Sequence, residues 1–221
     1  IDTATPALGL CLQTRDQCRC LILEAGLRHA QTLFPGIESL TREVGIKPGE
    51  LDLIVCAQGP GSFTGIRIGL AAAKGLARGA GCPLIGISNL DALAYRFRFF
   101  DGTVAAVLQS LRGRHYAAFY SQGRRISEYL EMPTEELLVR LASQASLLLT
   151  GYQSDRLASR LEIRSEGSLV IPDSCPNSTD PKSLLEAGLA LFREQGPAAQ
   201  EVLPLYLRRS EAELKRNPPQ I

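Results

Sequence analysis

A chain of 221 residues, 45% of them hydrophobic, has room for one large domain or two small lobes around a sizeable core. Its formal net charge of +1 excludes the basic footprint of a general nucleic-acid binder and the signature of an acidic tail. No apolar run approaches the roughly 18 residues of a membrane span, and no signal peptide is visible, so a cytoplasmic protein without a membrane partner is expected. The six cysteines, Cys11, Cys18, Cys20, Cys56, Cys82 and Cys175, are scattered and form no C-x-x-C. Cys18-x-Cys20 puts two thiols on one face of a strand. Buried free thiols are the expectation, rather than a disulfide framework or a zinc site.

The chain opens on Ile1-Asp2-Thr3, which reads as the end of a strand whose beginning is missing. GLCLQ (9–13) and CRCLILEAG (18–26) predict a hairpin around 14–17. Ala30, Leu33, Phe34, Ile37, Leu40 and Val44 carry a helical period that Pro35 should kink or delay. LDLIVCA (51–57) is apolar throughout, which suits a strand covered on both faces. A helix over about 64–78, closed by Gly79 and Gly81, leads to a buried strand, PLIGIS (83–88), and a helical stretch, NLDALAYRF (89–97). From Gly102 the character changes. TVAAVLQSL (103–111) and HYAAFYS (115–121) read as strand, turn and strand, and RRISEYLEM as a further strand-like stretch. Then come a helix over 133–143, a strand at SLLLTGY (146–152), a short helix in SDRLASRLE and a strand in SLVIP (168–172). A helix over 181–196 follows, then LPLYLRRS (203–210) and a charged, proline-rich tail. Hairpin followed by αβ occurs twice, which predicts two α/β lobes: 1–100 joined by a returning segment of about 180–209, then 101–179, with 210–221 as a tail.

AQGPGSFTGIRIGL (57–70) asks for a function. A strand, a Gly-Pro-Gly turn and a helix make an anion site, because glycine admits a ligand close to the N–H groups at a helix start. The stretch is neither G-x-x-x-x-G-K-[ST] nor G-x-G-x-x-G. A turn that needs glycine only for packing fits it as well. The helix beyond shows three stripes. Ile66, Gly69, Leu70, Ala73, Leu76 and Ala77 make a core face. Arg67, Ala71, Lys74 and Arg78 make a partly basic one. Ile68, Ala72, Gly75 and Gly79 make a third, small enough for another helix to approach, either within the chain or across a subunit contact.

Together with IDTAT at the start, HAQTLFPGI (29–37), PLIGISNLDALA (83–94) and LPLYLRR (203–209), the central GPGSFTGIRIGLAAAKGLA (59–77) resembles the TsaB (YeaZ) family in order and spacing over nearly the whole chain. The resemblance implies an α/β fold of the actin/sugar-kinase/Hsp70-like (ASKHA) class, with two βββαβα-type lobes. It also implies a non-catalytic partner of TsaD in the synthesis of threonylcarbamoyladenosine next to the anticodon of tRNA. Such a partner forms a homodimer in isolation, pairs with TsaD, is joined by the TsaE ATPase and contacts tRNA little itself. It has no cofactor of its own, with an adenine nucleotide conceivable at the joint with TsaD.

Residue by residue, the resemblance is selective. TsaD-like chains carry H-x-x-x-H, a metal-chelating i,i+4 pair, where this chain has Asn89 and Leu93. The two histidines present, His29 and His115, read as a surface or cap residue and a solvated strand residue, so no metal ligands are expected. The first phosphate hairpin of the fold, Asp2, Thr3 and Thr5, is retained, and with Gly59, Gly61 and Ser62 it would outline a weak nucleotide-like cleft. In the second hairpin Gln109 replaces the acid that anchors Mg²⁺, while Gly113 and Tyr116 remain. An ATPase or kinase acting alone is therefore the alternative reading. A glycoprotease-like peptidase is a weaker one, since Ser62 lies in G-S-F-T-G rather than G-x-S-x-G. Ser62 and Thr64 fit better as helix caps. The expected interface is Arg67, Ile68, Ala71, Ala72, Lys74 and Gly75, with His29 and Leu33 of the preceding helix beside it.

Overall fold

The computed structural model describes residues 1–110, 113–152, 154–161, 169–170, 179–197 and 201–208. The opening hairpin forms from β1 (Ala7–Gln13) and β2 (Cys18–Glu24), antiparallel, with Leu10 opposite Leu21 and Gln13 opposite Cys18. The apolar run condenses to β3 (Ile54–Ala57), whose four residues are all buried, parallel to β4 (Leu84–Ile87). Residues 1 and 2 lie between the two pairs. Asp2 bridges Gly9 antiparallel, and the Ala57 N–H donates to the Ile1 carbonyl at 2.9 Å.

Two helices flank this half. α1 (His29–Val44) presents Leu33, Ile37 and Leu40 to Leu8 and Leu10, and it ends on Gly45 in the left-handed conformation. Pro35 lies inside α1 without ending it. The carbonyl left without its helical donor belongs to Gln31, on the solvent side where water can serve it. Phe34, counted by its period with the core, is 56% exposed. α2 (Phe63–Ala80) follows β3 and packs Ile66, Leu70, Ala73 and Ala77 against Ile54 and Cys56.

α3 (Asn89–Tyr95) carries the chain to the second half. There β5 (Thr103–Gln109) pairs antiparallel with β6 (Arg114–Ser121), which also pairs with β7 (Arg124–Arg125) and β8 (Leu130–Pro133). α4 (Thr134–Ala142) covers one face of this sheet. β9 (Leu147–Thr150) runs parallel to β5, and β10 (Leu169–Val170) extends the sheet beyond it. α5 (Ser154–Ala158) lies between them in sequence. Leu90 and Leu93 of α3 pack on the other face of the sheet, against Val104, Leu108 and Tyr116. α6 (Pro181–Gln195) returns to the first half, where Leu184 and Ala187 pack on Val55, Ala57, Ile85 and Ile87. A Cβ at Gly188 would stand 2.5 Å from Val55, so helix and strand meet at a distance only glycine permits.

Three expectations change. His29 and His115 are buried rather than solvated: His29 Nε2 donates to the Thr5 carbonyl at 3.0 Å, and His115 Nδ1 lies 3.2 Å from the Thr134 hydroxyl. The thiols are neither all free nor all buried. Cys11 and Cys20 sit directly opposite in the hairpin and are joined, because the register faces them across the ladder, and of the free thiols among the described residues only Cys56 is buried. Burial pushes the Cys56 thiol pKa up to about 12. Cys175 and the tail lie outside the described residues.

Candidate functional site

The glycine turn is a junction of backbones. Ser62 caps α2, its hydroxyl accepting from the Gly65 N–H at 3.2 Å, so the capping reading holds for Ser62 rather than Thr64. A Cβ at Gly61 would overlap the Ala4 carbonyl, and one at Gly65 the Thr3 carbonyl. Thr3 Oγ1 donates to the Gly65 carbonyl at 2.7 Å, and the Ser62 N–H donates to the Ala4 carbonyl at 2.7 Å. These glycines admit the chain's own 3–5 segment, in the place where a phosphate would need to approach.

Asp2 and Asn89 hold the junction from the inside. Both are fully buried. Asn89 Nδ2 donates to Asp2 Oδ2 and to the Thr179 hydroxyl, each at 2.9 Å, while Asn89 Oδ1 accepts from the Gly59 N–H at 3.1 Å. The Ala4 N–H donates to Asp2 Oδ1 at 2.8 Å. Burial raises the Asp2 carboxyl above the usual carboxylate range, and the bonds from Ala4 and Asn89 partly counter it. The position where TsaD-like chains carry their first metal-binding histidine is thus a bracket joining three segments. Leu93, at the second, is core.

Between the halves lies a cavity of about 800 Å³. Thr5, Ser62, Gln109, Ser110, Tyr116 and Tyr206 are among its lining residues. Asp2, Thr3 and Gly59 are not, so of the expected cleft residues Thr5, Gly61 and Ser62 reach it. The carboxylate of Asp2 is spent inside the first half, and no Asp or Glu stands among the described residues that line the cavity. The Ser110 hydroxyl is buried without a hydrogen-bond partner among the described residues. His29, which shares the cavity with Ser62, bonds to a backbone carbonyl and not to that hydroxyl, an arrangement without the base a serine nucleophile requires.

The expected interface divides. Ala72 is 8% exposed and sits with Leu8, Leu33, Ile37 and Leu40 in the seam between α1 and α2, so it belongs to the core. His29 and Leu33 are buried as well and offer no surface. Arg67, Ala71 and Gly75 are exposed on one ridge of α2, with Ile68 and Lys74 half-buried at its edges. Nothing lies within 4 Å of a Cβ built on Gly75. The basic residues already have partners in the chain. Arg67 Nε donates to the Tyr206 hydroxyl at 2.9 Å, and its guanidinium lies 3.9 Å from the centre of the Phe63 ring, which stacks on Tyr206. Lys74 Nζ bonds Glu201 at 2.8 Å. Segment 201–208 is itself fastened to the turn after β3: the Leu205 N–H donates to the Gln58 carbonyl at 2.8 Å, and Gln58 Nε2 to the Leu203 carbonyl at 2.9 Å. The sequence pattern gave no sign that Tyr206 and Glu201 of this segment would hold Arg67 and Lys74. It also missed Phe34, an exposed aromatic on α1.

The family model described as "TsaD: tRNA N6-adenosine threonylcarbamoyltransferase" matches residues 23–174. The chain is 28% identical over 228 residues to the tRNA threonylcarbamoyladenosine biosynthesis protein TsaB of Bacillus subtilis (strain 168), covering 97% of this chain and 95% of that protein. It is 27% identical over 223 residues to the protein of the same name from Escherichia coli (strain K12), covering 96% and 94%. The solved structure of YeaZ from Pseudomonas aeruginosa superposes with a TM-score of 0.76 at 28% identity, covering 93% of this chain and 97% of that one. The fold is accordingly the actin/sugar-kinase/Hsp70-like α/β fold. Matched along nearly its whole length, with the junction of 2–5, 59–65 and 89 closed on itself, the chain belongs to the TsaB/YeaZ family, within the wider family of the threonylcarbamoyltransferase TsaD.

Proposed function

We propose that this chain acts in the biosynthesis of threonylcarbamoyladenosine in tRNA as a TsaB-type accessory subunit that binds a TsaD-type transferase and positions it. The observation that carries the reading is the fate of Asp2. The acid that would lead the first phosphate hairpin is buried and hydrogen-bonded within its own lobe, and the described lining of the cleft holds no carboxylate to anchor Mg²⁺. Near full-length likeness to two proteins named TsaB supports the pathway. The outward ridge of α2, Arg67, Ile68, Ala71, Lys74 and Gly75, together with the exposed Phe34 of α1, is the docking face in this reading, used for a homodimer or for the transferase. Ala71 and Gly75 permit close backbone approach, Ile68 and Phe34 supply apolar area, and Arg67 and Lys74 at the rim set partner choice more than affinity. A TsaE-type ATPase joins the assembly, and any adenine nucleotide sits at the joint with the transferase rather than in this chain alone. No helix among the described residues is long and apolar enough to cross a membrane.

The test is co-purification with the cognate TsaD-type protein, with tRNA modification assayed with and without this chain. Failure to pair, or full modification without it, overturns the reading. One observation favours a second reading, an ATPase or kinase acting alone: the cavity volume of about 800 Å³, ample for a nucleotide. Mg²⁺-dependent ATP turnover by the pure protein, abolished by Ser110→Leu, would establish it.

A further inference from the structure

The β1–β2 hairpin gathers chemistry that neither the cleft nor the docking ridge uses. Its register sets Cys11 opposite Cys20 and Gln13 opposite Cys18. Alternation then puts Cys11, Cys18 and Cys20 on one face of the ribbon, while Leu10 and Leu21 turn to the other face and pack with α1. The three sulfur atoms lie within 4.8 Å of one another, with Cys18 Sγ 3.5 Å from Cys11 Sγ. Cys11 and Cys18 are half-buried and Cys20 is exposed, so solvent reaches the group.

We infer that Cys11, Cys18 and Cys20, in the reduced chain, form a three-thiolate site for a soft d¹⁰ cation of the Zn²⁺ or Cu⁺ kind. A metal bonded to three sulfurs at about 2.3 Å in a trigonal arrangement separates them by about 4 Å, and that spacing lies within the span the ribbon already imposes. Thiolates at that spacing select soft cations over Mg²⁺ or Ca²⁺. The Cys11–Cys20 bond and the metal compete for the same two sulfurs. A dithiol opens the bond by supplying two electrons and two protons, and is itself closed to its own disulfide. On binding, each of the three thiols loses its proton to solvent as its sulfur bonds the metal. The metal changes no oxidation state, and water completes the coordination of a tetrahedral ion. Loading is thereby confined to reducing conditions, and the metal would clamp the two strands beside their 14–17 turn.

The experiment titrates the full chain with Cd²⁺, a spectroscopic stand-in for Zn²⁺, after reduction and removal of reductant under argon, with chelator competition by Zn²⁺ to give affinity. The expected result is a sulfur-to-metal charge-transfer band saturating at one ion per chain, a rise in melting temperature on loading, and no band when the Cys11–Cys20 bond is closed. Cys18→Ser and Cys20→Ser should each weaken binding by more than the roughly 10–100-fold that loss of a group merely supporting a ligand costs. Cys56→Ser and Cys82→Ser should bind like the parent. Melting of the metal-free variants, with half-exposed Cys18 as the mildest replacement, separates loss of ligand from loss of fold. Absence of the band, an unchanged affinity in Cys18→Ser, or a Cys11–Cys20 bond that resists the dithiol overturns the inference.

Discussion

Replacing Asn89 with leucine, its near-isostere, tests whether the bracket at the lobe junction is structural. The change removes two donated bonds, to Asp2 and Thr179, and one accepted from the Gly59 N–H. The Thr179 hydroxyl loses only a bond that it accepted, but the Gly59 N–H and Asp2 Oδ2 remain buried without their partner. Leaving a buried donor unsatisfied costs about 1–3 kcal/mol, and a charged acceptor somewhat more. The new methyl groups recover little, because they face polar atoms. A loss of about 3–5 kcal/mol is expected, a large part of the roughly 5–15 kcal/mol typical of a whole domain. With a urea slope near the upper end of about 1–3 kcal/mol/M, the unfolding midpoint should fall by about 1–2 M. Asn89→Asp provides the diagnostic contrast. It keeps the acceptor for Gly59 but sets a second carboxylate against Asp2, so its deficit should shrink on acidification, as the pair comes to share a proton. Asn89→Leu within about 1 kcal/mol of the parent, or an Asn89→Asp deficit independent of pH, would refute the bracket.

Gly65→Ala drives a methyl into the Thr3 carbonyl and should cost roughly 1–3 kcal/mol as an overpacked contact, whereas Gly75→Ala meets nothing and should gain up to about 1 kcal/mol from helix propensity; paired thermal melts compare them. Ala71→Arg should leave the melt nearly unchanged and abolish pairing in size-exclusion chromatography and TsaD pull-down, while Ala72→Arg, directed into the α1–α2 seam, should unfold the chain; a folded, pairing Ala71→Arg removes the ridge from the interface. Burial, with a contribution from the Arg160 charge, holds the His115 pKa below 6.5. The unfolded chain therefore binds that proton more readily, and the stability present above about pH 6.5 should be lost as pH falls through that value towards the folded pKa, a slope that His115→Gln should flatten in urea melts across pH 5–8. With a net charge of +1, the isolated chain should bind tRNA no more tightly than micromolar at physiological salt, by filter binding, since few phosphates can be neutralised.

The order of strands and helices was legible because period and punctuation agree. LDLIVCA suits a covered strand, and the Gly-Pro-Gly turn with Ser62 suits the start of a helix. What the pattern could not separate were neighbouring stripes of small residues. Ala72 and Ala71 look alike on a helix whose third face carries no polar mark, and only the position of α1 decides which is core. His29 was misplaced for a related reason, since the carbonyl that satisfies it belongs to Thr5, 24 residues away, and no local spacing announces it. The cysteines turn on register. A slip of one residue in the 14–17 turn would put Cys11 and Cys20 on opposite faces, so their meeting depends on a turn geometry that composition does not specify. At the cleft the residue types that matter, Asn89 and Gln109, were visible at once. The turning of Asp2 away from the cavity was not, because that depends on where Asn89 reaches.

The return of α6 to the first half has a consequence for the order in which the chain becomes whole. On a ribosome the sheet of β5, β6 and β9 can close while α6 is still unmade, but Val55, Ala57, Ile85 and Ile87 must wait for Leu184 and Ala187 to cover them. The half synthesised first is therefore completed last. In the interval its parallel pair β3–β4 carries an apolar face open to solvent and to chaperones, the kind of surface on which nascent chains misassociate. A stop codon anywhere before 181 would consequently injure the amino-terminal half, leaving the later sheet the better folded of the two.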